Sequence, residues 1–562
     1  MDVPPLHFAA RDNSKETAEI FISNGADINA KTKDGLTPLH YAANNNSKET
    51  AEILISNGAD INAKTKNGLT PLHWGARYNS KETTEILISN GADLYAKDVA
   101  GCTPFHYAVR YNSKETAEIL ISNGADINAK DKDGCTPLHF AARDNSKETA
   151  EIFISNGADI NAKTKDGLTP LHYAANNNSK ETAEILISNG ADINAKNEDG
   201  CTPLHWAANN NSKETAEILI SNGADINAKD KDGCTPLHYA ARYNSKETAE
   251  ILISNGADIN AKNEDGCTPL HYAARYNSKE TAEILISNGA DINAKDKDGC
   301  TPLHFAARDN SKETAEIFIS NGADINAKTK DGLTPLHYAA NNNSKETAEI
   351  LISNGADINA KNEDGCTPLH WAANNNSKET AEILISNGAD INAKDKDGCT
   401  PLHYAARYNS KETAEILISN GADINAKNED GCTPLHWAAD YNSKETTEIL
   451  ISNGADINAK DKDGCTPLHY AARYNSKETA EIFISNGADI NAKTKNGLTP
   501  LHWGARYNSK ETTEIFISNG ADINAKDVAG CTPLHYAVRY NSKETAEILI
   551  SNGADINAKD KN

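Results

Sequence analysis

The chain has 562 residues, a formal net charge of −24 and 38% hydrophobic residues. This composition supports a folded protein, but no apolar run approaches the roughly 20 residues that span a bilayer, so we expect no membrane insertion. The acidic charge is spread along the whole chain without a basic stripe, which argues against nucleic acid and anionic membranes as partners.

A histidine recurs every 33 residues from His7 to His535, and this series contains all 17 histidines. A fixed period of this length indicates one array of repeats that pack on their neighbours, rather than the several domains that the length alone suggests. We therefore predict a single domain over residues 1–562 with 17 repeats and no separate catalytic domain. The first repeat lacks most of its N-terminal turn.

Residues 265–297 show the order of the predicted elements within one repeat. An Asp-Gly turn comes first, and Thr268 is the expected N-cap of a helix whose first position is a proline. Asn277 is expected to end this helix in the left-handed conformation. Ser278 is the expected N-cap of a second helix, which Gly289 ends. The repeat therefore reads as turn, helix, turn, helix and an extended finger.

The motif Asp-Gly-x-Thr-Pro-Leu-His-x-Ala-Ala, followed by Gly-Ala-Asp-Ile-Asn-Ala, resembles the ankyrin repeat across all 17 units. The resemblance implies an all-α ankyrin repeat solenoid of stacked helix-turn-helix units with β-hairpin fingers and about 34 helices. It also implies that each histidine hydrogen-bonds the turn and links neighbouring repeats. Thr281-Ala282 stands where the family usually has bulkier aliphatic residues, which predicts thinner packing and a lower stability per repeat.

The cysteines and histidines, the residues best suited to chemistry, each keep one fixed place in the repeat. The 11 cysteines, from Cys102 to Cys531, share their position with leucine, which predicts buried thiols. Stacked helices lie about 8–10 Å apart, farther than the roughly 7 Å between the Cα atoms of a disulfide, so we expect reduced cysteines. Metal ligands must converge on one ion, whereas these residues form rows, so we predict neither a metal nor a cofactor.

Duplication within the chain also argues against catalysis. Residues 133–264 recur as residues 298–429 without one change. A unique catalytic centre cannot lie inside a segment that is present twice, and we see no glycine-rich phosphate loop and no isolated carboxylate pair. We predict that the protein is not an enzyme and has no small-molecule substrate.

The start of the chain has no signal-peptide pattern, so we expect the reducing cytoplasm, with the nucleus left open.

The variable positions suggest where a partner binds. The resemblance implies that the last two residues of the first helix face a concave groove that contacts partners. From repeat 13 onward, five successive repeats carry tyrosine there, and tyrosine and arginine are enriched at binding hot spots. We predict a protein-binding site, with the arginines selecting acidic groups, at Arg407, Tyr408, Tyr441, Arg473, Tyr474, Arg506, Tyr507, Arg539 and Tyr540. The alternative is neutral drift on a solvated edge.

The aromatic residue after each histidine, as at Tyr41, Trp74 and Phe140, is interpreted as core.

These observations favour an intracellular scaffold or adaptor that binds protein partners along the groove. Two alternatives stay open from the sequence. A long and nearly uniform array can act as a mechanical spacer or spring, and the chain can be the repeat portion of a larger protein whose effector domain is missing.

Overall fold

The computed structural model describes residues 3–561, which form 34 α-helices, two in each repeat. The first helix of every repeat begins at a proline and the second at a lysine. The first helices are α1 Pro5–Arg11, α3 Pro38–Asn44, α5 Pro71–Arg77, α7 Pro104–Arg110, α9 Pro137–Arg143, α11 Pro170–Asn176, α13 Pro203–Asn209, α15 Pro236–Arg242, α17 Pro269–Arg275, α19 Pro302–Arg308, α21 Pro335–Asn341, α23 Pro368–Asn374, α25 Pro401–Arg407, α27 Pro434–Asp440, α29 Pro467–Tyr474, α31 Pro500–Tyr507 and α33 Pro533–Arg539. The second helices are α2 Lys15–Ser23, α4 Lys48–Ser56, α6 Lys81–Ser89, α8 Lys114–Ser122, α10 Lys147–Ser155, α12 Lys180–Ser188, α14 Lys213–Ser221, α16 Lys246–Ser254, α18 Lys279–Ser287, α20 Lys312–Ser320, α22 Lys345–Ser353, α24 Lys378–Ser386, α26 Lys411–Ser419, α28 Lys444–Ser452, α30 Lys477–Ser485, α32 Lys510–Ser518 and α34 Lys543–Ser551.

The chain divides into two compact units, Met1–Ala273 with Glu280–Ala290 and Ala274–Lys279 with Asp291–Asn562. The first unit contains α1 to α16 and the second contains α19 to α34. Inside each unit, first helices pack on first helices of the next repeat, and second helices pack on second helices, so that two helical layers form. A single domain over residues 1–562 stays a prediction.

Small side chains fill the space between the two layers. In the second repeat, Leu39, Ala42 and Ala43 of α3 and Ala51 and Leu54 of α4 are at most 1% exposed. Alanines let the backbones of neighbouring helices approach closely, and the leucines occupy the remaining volume. The same pattern recurs along the chain, so each repeat buries its apolar side against the repeats beside it.

Variation in this core is compensated within the repeat. Thr84 stands in α6 where most repeats have alanine, and Gly75 of α5 replaces the alanine that would face it. A Cβ atom at Gly75 would lie 2.7 Å from the Thr84 hydroxyl oxygen, so the glycine makes room for the threonine. Another repeat keeps Ala438 opposite Thr447, whose hydroxyl instead donates to the carbonyl of Ser443 at 2.7 Å. One threonine is therefore accommodated by the loss of a facing Cβ atom and the other by a hydrogen bond within its helix.

From the second repeat onward, the first helix begins at a threonine that pairs with the histidine three residues later, as in a capping box. Thr37 has an extended backbone, with φ −98° and ψ 167°, and its N–H donates to His40 Nδ1 at 3.1 Å. The N–H of His40 in turn donates to the carbonyl of Thr37 at 3.0 Å. Histidine thus takes the place that glutamate or glutamine usually holds in such a box.

The asparagine after the first helix is left-handed in every repeat, as predicted, with Asn277 at φ 52°. The predicted capping by serine is wrong for the repeats whose caps are described. Ser47, the N-cap residue of α4, makes no side-chain bond to its own helix, and its hydroxyl donates to the carbonyl of Arg11 at 3.1 Å. The cap comes from the preceding repeat instead, because Asn13 Oδ1 accepts the N–H of Thr50 at 3.1 Å.

The left-handed asparagine also forms hydrogen bonds with polar groups in the first turn of the second helix of the following repeat. Asn178 Oδ1 accepts the N–H and the hydroxyl of Thr215, both at 3.1 Å, and its amide nitrogen donates to the Glu214 carboxylate. The contact with Asn178 lowers the pKa of Glu214. The buried threonine that replaces an aliphatic residue therefore has its hydroxyl paired. The lower stability per repeat that we expect from the sequence remains a prediction.

The fingers are tight turns, and residues 3–561 contain no β-strand in place of the expected hairpins. In the second repeat, Gly35 N–H donates to the carbonyl of Thr32 at 2.8 Å, with Gly35 at φ 84°. The turns of neighbouring repeats are joined by one backbone bond, from Lys66 N–H to the carbonyl of Asp34 at 3.0 Å. The fingers of neighbouring repeats are therefore connected by hydrogen bonds between turns and not between β-strands.

Two substitutions at Asn178 separate its backbone role from its capping role. Asn178→Gly keeps the left-handed conformation and removes the cap, so we expect a loss of about 1 kcal/mol in the free energy of unfolding. Asn178→Ala also forces a Cβ into that conformation, and we expect a further loss of about 1 kcal/mol. Urea denaturation measures both values. Asn177→Ala, at the exposed neighbour, is the control, and equal losses for glycine and alanine would contradict the two roles.

Candidate protein interface

The histidine series forms structural bridges between repeats, as the resemblance implied. His40 Nε2 lies 3.1 Å from the carbonyl oxygen of Leu69, and His73 Nε2 lies 3.2 Å from that of Cys102. Burial lowers the pKa of both histidines to about 4, so they are neutral at physiological pH. Within residues 3–561, no group of three or more histidine, cysteine or acidic side chains is arranged to hold a metal ion.

The 11 cysteines are buried thiols, as predicted from their exchange with leucine. Several contact a tyrosine of the next repeat, as where Cys201 Sγ lies 3.2 Å from Tyr239 Oη. Burial raises the pKa of Cys201 to about 11. A thiol that stays protonated is a poor nucleophile, so this row is suited to packing rather than to chemistry.

The aromatic residue after each histidine is only partly in the core. Phe140 is 9% exposed, but Tyr41 and Trp74 are half-buried. These rings lie edge-on to the histidine of the preceding repeat, as for His7 and Tyr41 with centroids 5.2 Å apart and planes at 89°. The core interpretation therefore holds for Phe140 and only in part for Tyr41 and Trp74.

The predicted interface residues lie at equivalent places of five successive repeats in the second unit, with the tyrosines exposed and Arg407, Arg473 and Arg506 half-buried, and we call this set the Arg–Tyr stripe. It consists of Arg407, Tyr408, Tyr441, Arg473, Tyr474, Arg506, Tyr507, Arg539 and Tyr540. Its five tyrosines are between 39% and 50% exposed although each is large and apolar over most of its surface. Five such rings at the same place in successive repeats give a continuous aromatic surface.

The arginines of the Arg–Tyr stripe hold its tyrosines in place. The Arg473 guanidinium carbon lies 5.0 Å from the Tyr474 ring centroid and 5.4 Å from that of Tyr507 in the next repeat. Arg506 lies 5.3 Å from Tyr507 and 4.8 Å from Tyr540. Each cation therefore faces the tyrosines of two repeats. The sequence showed that these residue types recur, but not that an arginine reaches the following repeat.

Asp440 interrupts this alternation at the place where neighbouring repeats have arginine. Its Oδ1 atom is buried and has no hydrogen-bond partner among residues 3–561. Burial raises the pKa of Asp440 to about 6, although the charges of Arg473 and Arg407 act in the opposite direction. A poorly solvated carboxylate thus lies between the arginines of the Arg–Tyr stripe in the isolated protein.

Asp440→Asn is expected to stabilise the protein at high pH. The folded pKa of Asp440 lies above the unfolded value, so the folded state binds the proton more tightly and stability falls as pH rises from about 4 to about 6. Asparagine occupies the equivalent position at Asn209 and Asn374. We expect a gain on the order of 1 kcal/mol at pH 8, reduced by partial exposure of the side chain, and a smaller gain at pH 5. Urea denaturation at both pH values tests this. An equal difference at both would rule out the titration.

Comparisons with known proteins agree with the repeat pattern. A family model described as "Ankyrin repeats (3 copies)" matches overlapping segments at residues 6–98, 64–131, 96–164, 138–230, 171–263, 228–296, 295–362, 360–428, 425–494 and 482–560. No curated protein matches the chain. Among solved structures, the crystal structure of the human ASB11 ankyrin repeat domain is similar, with 26% identity, coverage of 40% of this chain and 99% of that domain, and a TM-score of 0.37. Every helix within residues 3–561 is too short or too polar to cross a membrane.

Proposed function

Because the chain belongs to the ankyrin repeat family, we propose that it is a scaffold or adaptor that binds partner proteins, the general role of ankyrin repeats. We propose that the partner contacts the Arg–Tyr stripe, at the C-terminal ends of the first helices. The proposal needs no catalytic group, since the histidines and cysteines serve the stacking of the repeats.

The exposure of five successive tyrosines is the observation that carries this proposal. Tyr441 and Tyr474 are 48% and 50% exposed, and the guanidinium carbons of Arg407 and Arg473 lie 4.7 Å and 5.0 Å from their ring centroids, so the rings are packed before a partner binds. A partner that binds such rings loses less side-chain entropy than one that must first order them. Tyrosine also combines a large contact area with a hydroxyl that hydrogen-bonds, which explains its enrichment at hot spots.

The arginines suggest which groups of the partner lie beside the rings. The tyrosine rings cover the faces of Arg473 and Arg506, so only the N–H edges of these guanidinium groups are left for a carboxylate. We propose that acidic side chains of the partner bind there.

We also propose a reducing compartment, the cytoplasm with the nucleus left open, because the cysteines are buried as thiols.

The test compares two triple variants of the full chain. Affinity capture from the source cell with mass spectrometry first supplies the partner. Alanine at Tyr441, Tyr474 and Tyr507 together should then weaken its binding at least about 100-fold, since hot-spot side chains contribute about 1 to 2 kcal/mol or more each.

The matched control carries alanine at Asn177, Asn210 and Asn342, the equivalent positions of other repeats, and should bind almost normally. Thermal melts check that both variants stay folded. An equal loss of binding in both variants, with unchanged melts, would show that the partner does not use the stripe.

A further inference from the structure

Two equivalent cavities lie beside tryptophans that the stripe does not include. The first, of about 320 Å³, lies in the first unit and is lined by Trp206, Asn209 and Tyr239 among others. The second, of about 250 Å³, lies in the second unit, and Trp371 and Asn374 line it in the same way. The sequences at the two sites are the same because the sites belong to the identical segments 133–264 and 298–429, although Arg242 lines only the first cavity.

The cavities exist because a short side chain follows the tryptophan. In another repeat, Trp74 is followed three positions later by Arg77, whose guanidinium carbon lies 5.9 Å from the Trp74 ring centroid and 4.7 Å from that of Tyr111 in the next repeat. Arginine thus fills the space between the two aromatic rings. Asn209 is too short to do so, and the space beside Trp206 stays open.

The cavity walls present aromatic faces. Trp206 and Tyr239 are half-buried, and Tyr243 at the far wall is 47% exposed. The Tyr239 hydroxyl donates to the Asp230 carboxylate at 2.9 Å and lies 3.2 Å from Cys201 Sγ, so only its ring is free to contact a ligand. An electron-rich surface of this kind attracts cations, and an indole attracts them most strongly.

A carboxylate lies at the mouth of each cavity. Asp199 and Asp364 are exposed, line the two cavities and form no ion pair within residues 3–561. Arg242 lines the first cavity, whereas the equivalent Arg407 does not line the second and lies 5.2 Å from the Trp437 ring centroid and 4.7 Å from that of Tyr441, both in the following repeat. The second cavity therefore offers a cation both aromatic rings and a counter-charge, and the first offers them beside a resident guanidinium.

We propose that each cavity binds an arginine side chain of a partner protein, with the guanidinium over the indole and its N–H groups donating to the carboxylate of Asp199 or Asp364. A planar guanidinium matches both a ring face and a carboxylate, which an ammonium group does less well. The net charge of −24 draws basic segments toward the chain. The second site should bind more tightly than the first, because Arg242 lines only the first cavity. The first cavity shares no residue with the Arg–Tyr stripe, so this inference can fail or succeed independently of the proposed function.

The experiment uses the full chain labelled with 5-fluorotryptophan and ¹⁹F NMR, in which only the five tryptophans carry the label. The probe is the peptide acetyl-Gly-Ser-Gly-Arg-Gly-Ser-Gly-amide, compared with the same peptide carrying citrulline or glutamate in place of arginine. Trp206→Phe and Trp371→Phe assign the two signals. We expect the arginine peptide to shift these two signals saturably, and the other two peptides to shift none. Equal shifts with citrulline or glutamate, or shifts of all five signals, would overturn the proposal.

Two further variants identify the groups involved. Asp199→Asn with Asp364→Asn should weaken binding at least fivefold, and the fold accepts this change because Asn67 holds the equivalent position in another repeat. Asn209→Arg with Asn374→Arg should abolish binding by filling the cavities, as Arg77 does beside Trp74. Unchanged binding in the aspartate double variant would contradict the counter-charge, and unchanged binding in the folded arginine double variant would contradict the cavities as the site.

Discussion

A neutral histidine side chain joins each repeat to the next, and the rest of the stack depends on it. In the second repeat, the N–H of Thr37 can only donate, so His40 Nδ1 must accept and carry no proton. The carbonyl of Leu69 in the following repeat can only accept, so His40 Nε2 must carry the proton. One imidazole thus caps a helix in its own repeat and bonds the next repeat, and burial keeps it uncharged. Charging it would place a proton on the nitrogen that the cap requires as an acceptor.

The fixed register that this bond imposes determines what the surface can present. Residues at the same place in successive repeats come within reach of one another, as Arg506 does with Tyr540. Where arginine and tyrosine recur, guanidinium groups and rings alternate and form the Arg–Tyr stripe. Where Asn209 follows Trp206, the same geometry leaves a cavity. Both surfaces depend on which side chains occupy a few variable positions of an otherwise constant repeat, an arrangement that suits protein binding, the general role of ankyrin repeats.

The sequence correctly predicted the features that depend on residues close together within one repeat. Thr-Pro helix starts, the left-handed Asn277 and the linking role of the histidines are confirmed by the structure. Predictions failed where the partner of a side chain lies one repeat away. Ser47 bonds the preceding repeat and not its own helix, because Asn13 already occupies the cap. The cavities were not predicted, since a single repeat does not reveal that the space between Trp206 and Tyr239 lacks the arginine found beside Trp74.

The protonation state of the histidines tests the central role of the imidazole bridge most directly. The ¹⁵N chemical shifts of the imidazole nitrogens can be followed in the full chain from pH 8 to pH 4.5. The buried histidines, such as His40 and His73 with a pKa of about 4, should stay neutral at pH 5 with the proton on Nε2. Titration of these histidines as a group near the ordinary value of about 6.5, or a proton on Nδ1 at pH 7, would contradict the bridge between repeats.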